Sequence, residues 1–179
     1  MDRAPDLSLV LRALSFAAHK HRDQRRRGAE ASPYINHPIA VADVLVNEGR
    51  MPDTVLVCAA LLHDTLEDTQ ATFAELEAQF GREIAQIVQE VSDDKSLPKA
   101  VRKRLQIEHA PTLSIPAKLV KLADKICNLR DIAFQPPADW SLERKQAYFD
   151  WAGQVVQGLR GVSPILEQAF DEAYARRPR

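Results

Sequence analysis

The stretch LLHDTLEDT, residues 61–69, closes the most apolar run of the chain with His63, Asp64, Glu67 and Asp68. Charged groups that leave water need partners, and three carboxylates with one imidazole are mostly acceptors, so the cluster cannot satisfy itself. The component it lacks is a cation. Two more residues of the same chemistry stand elsewhere: His37 in NHP and Asp124 in VKLADKICNLRD. Two imidazoles and two carboxylates form a mixed nitrogen and oxygen donor set, which suits Mn²⁺, Fe²⁺ or Co²⁺ better than a thiolate-rich structural zinc site. Spacing gives the acidic pairs different work. His63 and Asp64 sit about 100° apart around a helix, so they converge on one ion only at a helix end or junction. Glu67 and Asp68, four residues on and about 6 Å along the axis, share faces with that first pair. They are placed to face a water activated by the ion, with one of them taking its proton.

Taken singly, each residue also has an ordinary explanation: His37 before Pro38 as a capping histidine, Glu67 and Asp68 as a solvated helix end, and Asp124 beside Lys125 as a surface pair. Their joint occurrence at the end of an apolar helix favours a site. His19, His21 and His109 lack such company and read as surface residues. Basic residues add a second theme. Arg25, Arg26 and Arg27 occupy a loop that runs into His37, while Lys99, Arg102 and Lys103 share one helical face, which also reads as a solvated one. Guanidinium groups stack on planar bases and fork onto phosphates, so an arginine loop beside a metal suits a nucleotide carrying several phosphates. Asn128, four residues after Asp124, projects from the same face and could bond a ribose or phosphate oxygen.

The elements that must position these residues all read as helices, because period-2 alternation is nearly absent. The first spans about Leu7 to Gln24. The second has Pro38 in its first turn and stops at Gly49, and the third runs from Pro52 through Leu66. Thr72 and Glu75 have capping-box spacing ahead of a short helix closed by Gly81, and another follows to about Val91. Pro98, Pro116, Ser141 and Ser163-Pro164 start four more, ending near His109, Ile132, Leu159 and Ala175. The third, PDTVLVCAALLHD, is apolar all round, which marks a central helix whose polar end opens at the floor of a cleft.

At 179 residues the chain is long enough for one domain with a substantial core, and no repeat or composition break divides it. Its 24 Lys+Arg against 25 Asp+Glu give a net charge of −1, so no global field draws it to nucleic acid or an anionic membrane. Any anionic ligand must be caught locally. Cys58 and Cys127 lie in apolar or helical stretches without a CxxC pattern, as reduced thiols would, which points to a soluble protein of the cytoplasm. The longest apolar run, Val55 to Leu62, is far short of the ~18 residues a membrane span needs. Oligomeric state is not legible from these features.

The spaced set His37, His63-Asp64 and Asp124 resembles the HD-domain phosphohydrolases. PYINHP, AALLHDTLEDT, DDKSLPK and KLVKLADKICNLRD together resemble the hydrolase domain of RelA/SpoT proteins, specifically the stand-alone metazoan SpoT homologs, the small alarmone hydrolases. The likeness is strongest over residues 16–156. It implies an all-α HD-domain helical bundle, a single domain over residues 1–179, and Mn²⁺-dependent removal of the 3′-diphosphate of guanosine tetra- or pentaphosphate (ppGpp, pppGpp), giving GDP or GTP plus pyrophosphate. By that resemblance His37, His63, Asp64 and Asp124 match the ligands of one Mn²⁺ ion, and Glu67 and Asp68 match the catalytic pair. Arg26, Arg27, Asn128, Arg144 and Tyr148 match nucleotide contacts. Relatives often carry lysine at the position of Arg27, and glycine at that of Ala31. Two other functions fit the same residues: removal of the 2′-phosphate of NADPH at the same site, and nucleotide sensing without turnover.

Overall fold

The computed structural model describes residues 5–28 and 30–179, and among these it is all α. Helices α1 (Leu7–Lys20), α2 (Asn36–Asp43), α3 (Thr54–Leu62), α4 (Thr65–Asp68) and α5 (Phe73–Phe80) make the first half of the bundle. Helices α6 (Arg82–Val91), α7 (Lys99–His109), α8 (Ile115–Phe134), α9 (Leu142–Gln157) and α10 (Pro164–Tyr174) complete it. Two isolated β-bridges, Arg25 with Pro33 and Gly28 with Pro137, fold the arginine loop over the start of α2.

Side-chain caps set most of the helix starts. Asp6, Asp53, Thr72, Ser114, Ser141 and Ser163 each accept a backbone N–H three residues on, satisfying donors that the first helical turn leaves open. Gly81 joins α5 to α6 at φ +88°, a conformation that glycine adopts without steric cost.

Helix α3 is the hub: its residues from Leu56 to Leu62 are all buried, and it packs against α1, α2, α6 and α8. Helix α8 backs it, packing also on α2, α6, α9 and α10, and this one continuous core includes Leu45, Leu62, Leu122, Ile126, Leu129 and Phe149. The indole N–H of Trp151 on α9 donates to the carbonyl of Lys103 on α7 at 3.0 Å, closing the remaining side.

Three helices depart from the sequence expectation. Helix α1 ends at Lys20, four residues early, and the chain turns so that the amide of Gln24 donates to the Asp68 carbonyl at 2.6 Å. The second helix does stop at Gly49, but its last turn, Val44–Glu48, is a π-helix closed by the Gly49 N–H on the Val44 carbonyl. The third does not reach Leu66. The His63 ring takes the Ala60 carbonyl and the Thr65 hydroxyl takes that of Leu62, and this competition for backbone acceptors breaks the helix at His63-Asp64 before α4 restarts it. No helix among the described residues is long and apolar enough to cross a membrane.

Candidate active site

The break after α3 solves the problem of adjacent ligands. With His63 at the end of one helix and Asp64 at the start of the next, the two side chains turn together, and Asp64 Oδ2 lies 3.0 Å from His63 Nε2. From the start of α2, His37 Nε2 approaches to 3.9 Å of the same oxygen. Asp124, midway along α8, places Oδ1 3.1 Å from His37 Nε2 and 3.9 Å from His63 Nε2. Both histidines are buried. Of the four residues chosen from sequence, His37, His63 and Asp124 bring their ligand atoms within 4.8 Å of one another, and Asp64 joins them through the two histidines.

The donor set fits a divalent metal. With bonds of about 2.1 Å, neighbouring ligand atoms in a tetrahedral or octahedral shell sit about 3 to 3.4 Å apart, as the His63–Asp64 and His37–Asp124 approaches of 3.0 and 3.1 Å do, while the two of 3.9 Å would close on an ion. His63 Nδ1–H donates to the Ala60 carbonyl at 2.7 Å, which leaves Nε2 as the ring atom that faces the cluster, where it takes either a proton or an ion. Burial opposes charge on His63, yet Asp64 and Asp124 outweigh it and raise the imidazole to about 9. A field that draws a proton onto that ring also draws a cation. Burial lowers His37, keeping its ring neutral and able to coordinate.

Each acidic ligand is gripped from behind. The buried ammonium of Lys125, 4.6 Å above the Trp151 ring, donates to Asp124 Oδ2 at 3.0 Å, and Asn128 donates to Oδ1 at 2.5 Å. Asp124 and Lys125 thus form a buried pair, not a surface one. The Tyr34 hydroxyl donates to Asp64 Oδ2 at 2.7 Å and reaches Asp68 Oδ2 at 3.3 Å. Burial, then the neighbouring Asp64, holds the phenol proton on.

Glu67 and Asp68 stand on α4 at the side of this centre. Glu67 accepts the Asp93 N–H at 3.0 Å and faces Lys95 at 3.3 Å and Arg102 at 3.5 Å. Burial raises its carboxyl above the usual range. Asp68 accepts from Lys95 at 2.5 Å.

A cleft of two lobes, 770 and 490 Å³, opens over the centre, and Arg26, Arg27, Asn128, Trp140 and Tyr148 line both. The smaller lobe runs from the carboxylates to a basic wall made of Lys99, Arg102, Lys103, Lys121, Lys125 and Arg144. All the residues expected to contact a nucleotide are therefore in the cleft. Arg26 is already engaged, donating to Asp131 at 2.5 Å and Asn128 at 3.1 Å. Arg144 lies 4.4 Å above the Trp140 ring, and burial pushes the Tyr148 hydroxyl up to about 12. Ala31, in the arginine loop, holds φ at +45°, the left-handed region that favours glycine.

One expectation fails. His21 is not a surface residue: its ring is buried, stacked on Tyr34 at 4.8 Å, with Nδ1 2.7 Å from the Gln24 side chain, because α1 ends beneath the start of α2. His19 and His109 are exposed. Sequence reasoning by residue type missed Tyr34, Lys95, Lys121, Lys125 and Trp140. The lysines gave one usable signal, the i, i+4 pair Lys121 and Lys125 flanking Asp124 on α8.

The all-helical bundle with a histidine and aspartate centre defines an HD-domain protein, and the HD domain family model matches residues 13–149: the chain belongs to that family. Among curated relatives, the guanosine-3′,5′-bis(diphosphate) 3′-pyrophosphohydrolase MESH1 of Xenopus tropicalis is 56% identical over 169 residues, 94% of each chain. The human protein of the same name is 54% identical over 168 residues, again 94% of each. A solved structure described as a metazoan ortholog of SpoT that hydrolyses ppGpp and plays a role in starvation responses matches with a TM-score of 0.92 and 47% identity, covering 94% of this chain and 95% of that one.

Proposed function

We propose that this chain is a metal-dependent guanosine-3′,5′-bis(diphosphate) 3′-pyrophosphohydrolase that splits ppGpp or pppGpp into GDP or GTP and pyrophosphate. The observation that carries the reading is the cluster of His37, His63 and Asp124, with Asp64 3.0 Å from His63, beside Glu67 and Asp68, in a chain more than half identical to enzymes of that name. In this reading the first four residues hold one Mn²⁺ ion. The bound ion supplies Lewis acidity, lowering the pKa of water and polarising the phosphoryl group.

The side chains supply the rest. Water adds to the phosphorus carried by the ribose 3′ oxygen, the bond between them breaks, and pyrophosphate departs as the 3′ oxygen gains a proton. Burial raises the Glu67 carboxyl, which favours its taking a proton, so the pair with Asp68 divides the base and acid duties. The basic wall matches the charge of the diphosphate, and the Arg144–Trp140 stack with Tyr148 offers flat surfaces to a base. Buried, reduced Cys58 and Cys127 fit a cytoplasmic site of action.

The test is to strip the protein of metal, restore Mn²⁺, and follow ppGpp and NADPH in parallel by anion-exchange chromatography. GDP plus pyrophosphate supports the proposal. NADH plus phosphate alone would assign the site to a 2′-phosphatase, and Mn²⁺ uptake without turnover of either would make the chain a nucleotide sensor.

A further inference from the structure

Asp64 occupies the N-cap position of α4, where an aspartate ordinarily folds its carboxylate back onto the first free N–H groups of its own helix. Here it does not: Asp64 makes no capping hydrogen bond, and its Oδ2 faces His63 Nε2 at 3.0 Å and His37 Nε2 at 3.9 Å. Its backbone is helical, at φ −95° and ψ −2°, which turns the side chain away from the helix start, and the Tyr34 hydroxyl donates to that same oxygen at 2.7 Å. An ionised carboxylate oxygen has two lone-pair directions, so one can take the phenol proton while the other stays open toward the centre of the histidine cluster.

Tyr34 is itself fixed on several sides. Its N–H donates to the Gln24 carbonyl at 3.1 Å, and its carbonyl accepts the His37 N–H at 3.0 Å. The ring lies on buried His21, with the Arg26 guanidinium 5.7 Å from its centroid. His21 is held in turn by Gln24, which also donates to the Asp68 carbonyl. Tyr34 is thus tied to the backbone of Gln24 and of His37 on α2, and through the Gln24 side chain to that of Asp68 on α4, and its 3.3 Å approach to Asp68 Oδ2 ties the metal side of the cluster to the catalytic side.

We propose that Tyr34 is a positioning residue: its hydroxyl holds the Asp64 side chain and presents the carboxylate to the metal, while its ring places that hydroxyl. The inference rests on the metal-centre reading above and assigns a role to a residue outside the ligand set.

The test compares Tyr34→Phe, which keeps the ring and loses the hydroxyl, with Tyr34→Leu, which loses both. Mn²⁺ binding to metal-stripped protein is read by titration calorimetry, and folding by thermal unfolding. Outer partners of metal ligands typically contribute about 10- to 100-fold in affinity. Tyr34→Phe is expected to weaken Mn²⁺ binding by at least tenfold with thermal stability preserved, and Tyr34→Leu to weaken it to a similar degree. At saturating Mn²⁺ the KM of Tyr34→Phe for ppGpp should stay within about twofold of wild type, since the ring that lines the cleft beside Arg26 is kept. Wild-type Mn²⁺ affinity in Tyr34→Phe would overturn the proposal, as would a loss confined to Tyr34→Leu, because then the ring alone matters. A wild-type chain that takes up no Mn²⁺ would instead bring down the metal-centre reading, and this proposal with it.

Discussion

The two faces of the cleft carry opposite charge and are held in opposite ways. On the acidic face, His37, His63, Asp64 and Asp124 are short side chains with few rotamers, fixed by backbone and side-chain partners such as the Ala60 carbonyl, Tyr34 and Lys125. On the basic face, Lys99, Arg102, Lys103 and Arg144 are long and partly exposed; Arg102 leans on Glu67, and Arg144 on Trp140 and Asp139. A centre that holds an ion gains from rigidity, since misplaced ligands lose affinity steeply. A face that receives a polyphosphate gains from cations whose present partners are carboxylates the substrate can replace.

This contrast ranks the consequences of mutation. Glu67→Gln keeps shape and metal but removes proton exchange, and is expected to lower kcat by roughly 10²- to 10⁴-fold; stopped or steady-state turnover with metal content measured alongside checks it. Full activity would place the proton work elsewhere. Lys125→Met leaves the Asp124 carboxylate without its buried counter-charge, a change that typically costs about 3–5 kcal/mol. Denaturant unfolding should show that loss, whereas the exposed pair of Arg104 and Glu108 should contribute at most about 1 kcal/mol.

Lys121 offers a pH test of the same burial. Its ammonium donates to the Val91 carbonyl at 3.0 Å, and burial lowers it from 10.5 to about 8. Between those values the unfolded chain binds the extra proton, so this group makes stability rise with pH, by up to about 3 kcal/mol. In Lys121→Met that component of the rise should vanish, seen as a flatter profile of unfolding free energy from pH 8 to 10.5. A profile unchanged from wild type would mean that Lys121 is solvated. The smallest effect belongs to the basic rim: Arg144→Ala should raise KM severalfold and leave kcat nearly unchanged, whereas an equal loss in kcat would move Arg144 from binding to chemistry.

The same contrast explains what was legible. The acidic side could be read because LLHDTLEDT packs His63, Asp64, Glu67 and Asp68 into six positions, and so many acceptors at the end of an apolar helix leave a cation as the missing partner. The join was harder: that His63 and Asp64 converge depends on a helix break created by side chains bonding the Ala60 and Leu62 carbonyls, and propensity alone carries the helix on to Leu66. Most of the basic face was scattered across α7, α8 and α9. Lys121 and Lys125 in particular look like solvent-facing residues until α6 and α9 cover them. His21 was misread for the same reason, since only the early end of α1 brings it under Tyr34.

The central claim, that the acidic face is a metal centre on which turnover depends, is tested most directly by titrating Mn²⁺ into metal-stripped wild-type and Asp64→Ala protein while measuring ion binding and ppGpp hydrolysis together. The account predicts one ion per wild-type chain, hydrolysis that rises in step with occupancy, and neither binding nor hydrolysis in Asp64→Ala. Hydrolysis by metal-stripped protein, or an Asp64→Ala chain that binds and turns over as wild type does, would contradict it.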